Sequence, residues 1–131
     1  MRKMSEVLIE VAMSQFRDES ATPSFEAANA ALLLAHVAWN SALVPEAPIP
    51  KYKTILRAFV KDRPQLWDEL SSRNPEKLIG RMQRYKDRHH RDDRRWILVA
   101  GIQPGGNVHV EFADEPPPLE SLPSPAMVKV S

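Results

Sequence analysis

The chain has no cysteine. Disulfides, thiolate catalysis and Cys-ligated zinc or iron–sulfur centres are thereby excluded, and the absence is compatible with a reducing cytoplasm. Also missing are the phosphate-cradling patterns GxGxxG and GxxxxGK[ST], the HEXXH zinc motif and the GxSxG nucleophile elbow. Nothing here marks a catalytic or cofactor site, so the reading is non-enzymatic, with no cofactor and no metal. Long apolar runs are scarce as well. The most apolar stretch, residues 27–44, nears a membrane span in length but contains Asn29, His36, Asn40 and Ser41. It suits a buried core helix of a soluble protein, not a membrane segment. At the start of the chain, Glu6 and Glu10 interrupt any signal-peptide core. The expectation is a soluble, cytoplasmic protein.

What is present is enough for one domain. The 131 residues are 43% hydrophobic and 27% charged, a globular balance long enough to bury a core without metals or disulfides. The net charge of +1 conceals an asymmetry. Residues 1–50 sum to −3, residues 51–100 to +7 and residues 101–131 to −3. A basic middle attracts an anionic surface or docks on acidic flanks, its own or a second copy's. The near-neutral total argues against a strong, non-specific nucleic-acid binder.

Periodicity predicts an α+β fold: about five helices around a buried apolar helix, then a C-terminal β-hairpin. The first helix is expected over residues 3–17, with Met4, Val7, Leu8 and Val11 at 3- and 4-residue steps. The second is expected to be capped by Thr22, to place Pro23 in its first position, to run to Leu43 and to be buried all round. Residues 44–50, with three prolines, read as a connector. The third helix, residues 51–61, carries Tyr52, Ile55, Leu56, Phe59 and Val60 on one stripe and Lys53, Arg57 and Lys61 off it. Asp62 is expected to cap a short fourth helix with Pro64 in its first turn, and Asn74–Pro75 starts a fifth running to about Arg91. Residues 95–113 read as a hairpin turning at Pro104–Asn107. One domain, 1–113, and a proline-rich flexible tail, 114–131, complete the organisation.

The fifth helix carries the main candidate site. Lys77, Arg81, Arg84, Arg88 and Arg91 recur at steps of 4-3-4-3, which places them on one helical face. They are the candidate anion or nucleic-acid contact. Asp87 with Arg91, and Arg88 with Asp92, are also i,i+4 ion-pair partners, the pattern of an ordinary solvated face. His89 and His90 point about 100° apart and cannot chelate one ion together. His89 with Asp93 could form a ligand pair, but a third ligand is lacking. The simpler expectation is a partly buried His89 and an exposed His90. Asn29, His36 and Asn40 share a stripe of the apolar helix and suit a satisfied buried network better than a pocket with His36 as a base.

Two patches, Ala38-Trp39-Asn40 with Ala42-Leu43-Val44-Pro45-Glu46, and Asp92-Asp93-Arg94-Arg95-Trp96-Ile97, resemble small uncharacterised bacterial proteins. The resemblance implies a bacterial protein of several helices plus a terminal hairpin and brings no activity with it. Function is expected to be binding. The leading reading is a protein-interaction module that takes a protein partner or forms a homodimer through hairpin edges, since unpaired edges invite pairing. The alternative is a nucleic-acid-binding regulator whose basic helix 75–91 and hairpin 95–113 form a winged-helix-like half.

Overall fold

The computed structural model describes residues 2–18, 22–45, 52–62 and 64–118. It is α+β: helices α1 (Met4–Met13), α2 (Phe25–Leu43), α3 (Tyr52–Asp62) and α4 (Pro75–His89), then strands β1 (Trp96–Ile102) and β2 (Val108–Ala113) in one antiparallel hairpin. The expected fourth helix is instead a six-residue 3-10 helix, Pro64–Glu69. There are thus four α-helices among the described residues, not five. Expectations for residues 46–50, for the cap at Asp62, for four stripe residues of α3 other than Leu56 and for the tail from Leu119 onward lie outside what the structure describes.

Helix α1 stops at Met13, short of the expected Arg17, because the chain there finds another partner. Phe16 and Leu70 form an isolated antiparallel bridge. The Arg17 and Ser71 amides donate to the Glu69 and Gln15 carbonyls at 2.8 Å each. This clamp satisfies backbone groups that a longer helix would have to cap. Helix α2 begins after Ser24, whose hydroxyl accepts from the Ala27 amide at 3.2 Å, so Thr22 and Pro23 precede the helix and do not cap it. Glu69 accepts from the Ser24 amide at 2.8 Å and its hydroxyl at 2.6 Å, which ties the 3-10 helix to the start of α2.

The core lies between α2 and everything else. Val7, Leu8 and Val11 of α1 meet Ala30, Ala31, Leu34, Ala35 and Ala38 of α2, with Leu66, Leu70, Leu78, Met82 and Ile97 completing the cluster. Alanines on α2 let neighbouring helices approach closely, and each larger side chain buried there contributes about 1.5–3 kcal/mol. Helix α2 is not enclosed on every side. Phe25 is 58% exposed and Asn29, Leu33, His36 and Asn40 are half-buried.

The hairpin runs from Trp96 opposite Ala113 to Ile102 opposite Val108, with a bulge between Ile97 and Val99. Its turn places Gly105 and Gly106 at φ 97° and 90°, a left-handed region open to glycine at no steric cost. β1 lies against α2 and β2 against α1. The two resembling patches meet here. Trp39 donates its indole N–H to the Arg95 carbonyl at 2.7 Å. Asn40 accepts from the Ile97 amide at 3.0 Å and donates to the Ile97 carbonyl at 2.9 Å. A side-chain amide on a helix thus does what a neighbouring strand would do, and the bulge follows where that pairing ends.

Candidate anion-binding face of α4

Asn74 caps α4 through its side-chain oxygen, which accepts from the Glu76 and Lys77 amides at 3.0 and 3.4 Å, and Pro75 follows where a missing N–H costs nothing. Leu78 and Met82 bury the inner face and Ile79 and Tyr85 lie partly buried. The cations then fall outward. Lys77, Arg84, Arg88 and Arg91 are exposed and Arg81 is half-buried. The helix ends at His89, so Arg91 sits in the following turn, not on the helical ridge.

Each cation has a different situation. Arg91 pairs with Asp87 at 3.5 Å, the expected solvated contact. Arg88 and Asp92 form no pair among the described residues. Arg81 donates to the Ser71 hydroxyl at 3.0 Å and to its carbonyl at 3.3 Å. Ser71 in turn donates to the Gln15 side-chain oxygen at 3.0 Å, and Gln15 donates to Ser14 at 3.2 Å. Lys77, Arg84 and Arg88 make no ion pair among the described residues.

Arg81, Arg84 and Arg88 line one wall of an open groove of about 470 Å³, and Glu10, Ser14 and Gln15 line the opposite wall. Glu10 is the acid in this groove, and it is already occupied. Arg2 and His90 each stand 2.5 Å from one of its oxygens. The hydrogen bond from Arg2 is the largest cause bringing its carboxyl down to about 2, with His90 and Tyr85 also holding it ionised. Glu10 therefore does not take up the guanidinium charge of Arg84 and Arg88, which face solvent. Guanidinium N–H groups suit carboxylate and phosphate oxygens in paired geometry.

Behind the groove lies a buried polar layer that sequence patterning did not reveal. Lys86 is only 4% exposed. Its ammonium donates to the Asp93 and His90 carbonyls at 2.9 and 3.2 Å and sits 4.4 Å from the centre of a Trp39 ring. Burial lowers its pKa, against the opposing pull of Asp93. The signal was one cation out of step with the ridge, at a position sharing a face with Met82 and Leu78. Asp93 accepts from Arg95 through both oxygens, at 3.0 and 2.6 Å, and Arg95 donates to the Arg2 carbonyl at 2.8 Å. Burial works to raise the Asp93 carboxyl, but the hydrogen bonds and charge of Arg95 outweigh it and its pKa is lowered.

That pairing separates Asp93 from the metal reading, because its carboxylate is already engaged. His89 is the exposed histidine, its ring 4.4 Å from that of Tyr85 and tilted 44° to it, and His90 is the half-buried one, the reverse of the sequence expectation. The helix ends at His89, and His90, in the cap position, turns inward to Glu10. His36 lies 3.2 Å from the Ile97 carbonyl, so its Nε2 carries the proton and donates. Burial lowers its pKa. With Asn40 on the same backbone unit, these two polar residues of α2 hold the hairpin. No group of three or more His, Asp or Glu among the described residues could hold a metal. No helix among them is long and apolar enough to cross a membrane.

Two parts of a helix-turn-helix are not brought together. Among the described residues, no Cα of the 3-10 helix or of either strand lies within 8 Å of an α4 Cα. The hairpin rests on α1 and α2 instead. Comparison with protein-family models, curated proteins and solved structures finds no match to this chain.

Proposed function

We propose that the chain is a non-enzymatic protein-interaction module whose docking surface is the arginine face of α4, and that the docked partner presents an acidic segment. The observation that carries the reading is the pair Arg84 and Arg88. Both are exposed, both line the groove, and neither has an ion pair among the described residues. The wall opposite them is held in place by the hydrogen-bonded line from Arg81 through Ser71 to Gln15. A fixed wall lowers the ordering cost of binding. The chemistry of the site asks for recognition of charge, not for bond making.

Nucleic acid is the second reading, favoured by the run of Lys77, Arg84 and Arg88 along about 16 Å of helix. Against it, the 3-10 helix that precedes α4 does not pack on α4 as the first helix of a helix-turn-helix would. Self-association is a separate part of the proposal. It rests on the outward-facing Leu98 and Val99, 56% and 48% exposed on β1. The β1 edge at Ile97 is already closed by Asn40 and His36, so a second copy would use that apolar face or the β2 edge.

The site is tested by recording the Arg Nε–H signals in an NMR titration with a glutamate-rich peptide. Shifts concentrated at Arg81, Arg84 and Arg88 are expected. Shifts confined to the hairpin would move the docking surface elsewhere.

A further inference from the structure

A second cleft lies toward the other end of α4, between α3, the 3-10 helix and the start of α4. Its volume is about 480 Å³, inside the range of small-molecule sites, roughly 300–1,000 Å³. Leu56, only 2% exposed, and Trp67, half-buried, give it an apolar floor. Lys53, Arg57 and Lys61 stand along it at steps of four on α3. The acid in the cleft, Glu76, is held by Lys53 at 2.9 Å. Arg57 and Lys61 are exposed and form no ion pair among the described residues. The Trp67 indole N–H has no hydrogen bond among them either, whereas that of Trp39 is bound to Arg95.

We propose that this cleft binds a small amphiphilic anion: a planar aromatic body against Leu56 and Trp67, with a carboxylate, phosphate or sulfonate head on Arg57 and Lys61. The two halves of the ligand follow from the two halves of the lining. A flat ring gains from stacking on indole beyond its area burial. An anionic oxygen gains from charge-assisted hydrogen bonds to guanidinium and ammonium. A purely polar anion would make no use of the Trp67 face, and a neutral apolar molecule would make no use of the two exposed cations. The cleft shares no residue with the groove at Arg81, Arg84 and Arg88, so the inference is independent of the reading above.

The probe is 1-anilinonaphthalene-8-sulfonate, an aromatic anion whose fluorescence is excited through tryptophan. Trp67 is the indole that lines the cleft. Saturable binding at one site is expected, with unchanged near-ultraviolet circular dichroism. Arg57→Gln with Lys61→Gln should weaken it at least tenfold. Trp67→Leu should weaken it at least threefold. Arg84→Glu with Arg88→Glu should leave it unchanged. The neutral analogue N-phenyl-1-naphthylamine should bind at least tenfold more weakly. Binding that does not saturate, that survives the paired glutamine variant, or that the neutral analogue matches would overturn the proposal. The glutamine pair removes charge at exposed positions without adding any, so its folding is checked by the same dichroism.

Discussion

Asn40 shows how one side chain can set the position of a hairpin. Its amide meets both polar groups of the Ile97 backbone unit, at 3.0 and 2.9 Å. In Asn40→Ala the Ile97 carbonyl keeps His36, but the amide of this 1%-exposed residue loses its acceptor. A buried donor left unpaired costs about 1–3 kcal/mol. The urea midpoint should fall by that cost divided by the slope, the slope itself unchanged, and an unmoved midpoint would mean the hairpin is held elsewhere. The folded protein keeps Glu10 ionised down to about 2, while an unfolded glutamate takes up its proton near 4.5. A depressed carboxyl contributes stability above 4.5 that is lost as pH falls toward 2. His36 is also depressed, by burial, from 6.5. The unfolded chain then binds the proton first, so stability falls as pH drops below 6.5. Urea midpoints should thus decline in two stages on acidification. His36→Gln should remove the upper stage and leave the lower, whereas Glu10→Gln should leave the upper and shrink the lower, to which Asp93, held down by Arg95, also contributes.

Helix α4 is the element on which the site depends, and a glycine sits in its middle. A Cβ at Gly80 would meet an Arg84 guanidinium nitrogen at 3.6 Å, ordinary contact. Gly80→Ala should therefore stabilise the protein by about 0.5–1 kcal/mol, readable as a raised urea midpoint. A lowered midpoint would show that Arg84 cannot yield the space. Much of this element was legible in sequence: the Asn74–Pro75 start, the apolar face of Leu78 and Met82, and the outward run of cations all follow from a 3.6-residue period. The hairpin and its glycine turn were legible for the same local reason. What was not legible depends on residues distant in sequence. Helix α1 stops early because residues 15–17 pair with residues 69–71. Lys86 is buried because Trp39 and two loop carbonyls receive it. His90 turns inward because Glu10 of α1 lies there. The groove itself has one wall on α1 and one on α4, and no local pattern joins them.

At the scale of the whole molecule, the acidic–basic–acidic layout resolves into a protein that neutralises some of its own basic middle and leaves part of it open. Glu10 takes Arg2 and His90, Asp93 takes Arg95, Glu115 takes Arg94 and Asp87 takes Arg91. Arg84 and Arg88 are left facing the groove. If the face of Leu98 and Val99 also pairs with a second copy, light scattering after size exclusion should give a dimer mass that Leu98→Lys reduces to monomer. A strict monomer at high concentration would remove self-association and leave the groove untouched. The central claim is met most directly by fluorescence anisotropy of a labelled glutamate-rich peptide and of labelled duplex DNA across a salt series, using the full chain and its Arg84→Glu, Arg88→Glu form. Binding of the peptide that weakens with salt, is at least tenfold weaker in the double reversal and exceeds that of the duplex is the expected result. Equal peptide affinity in the two proteins would contradict the assignment of the groove, and tighter binding of the duplex, with a steep log–log salt slope, would give the face to nucleic acid.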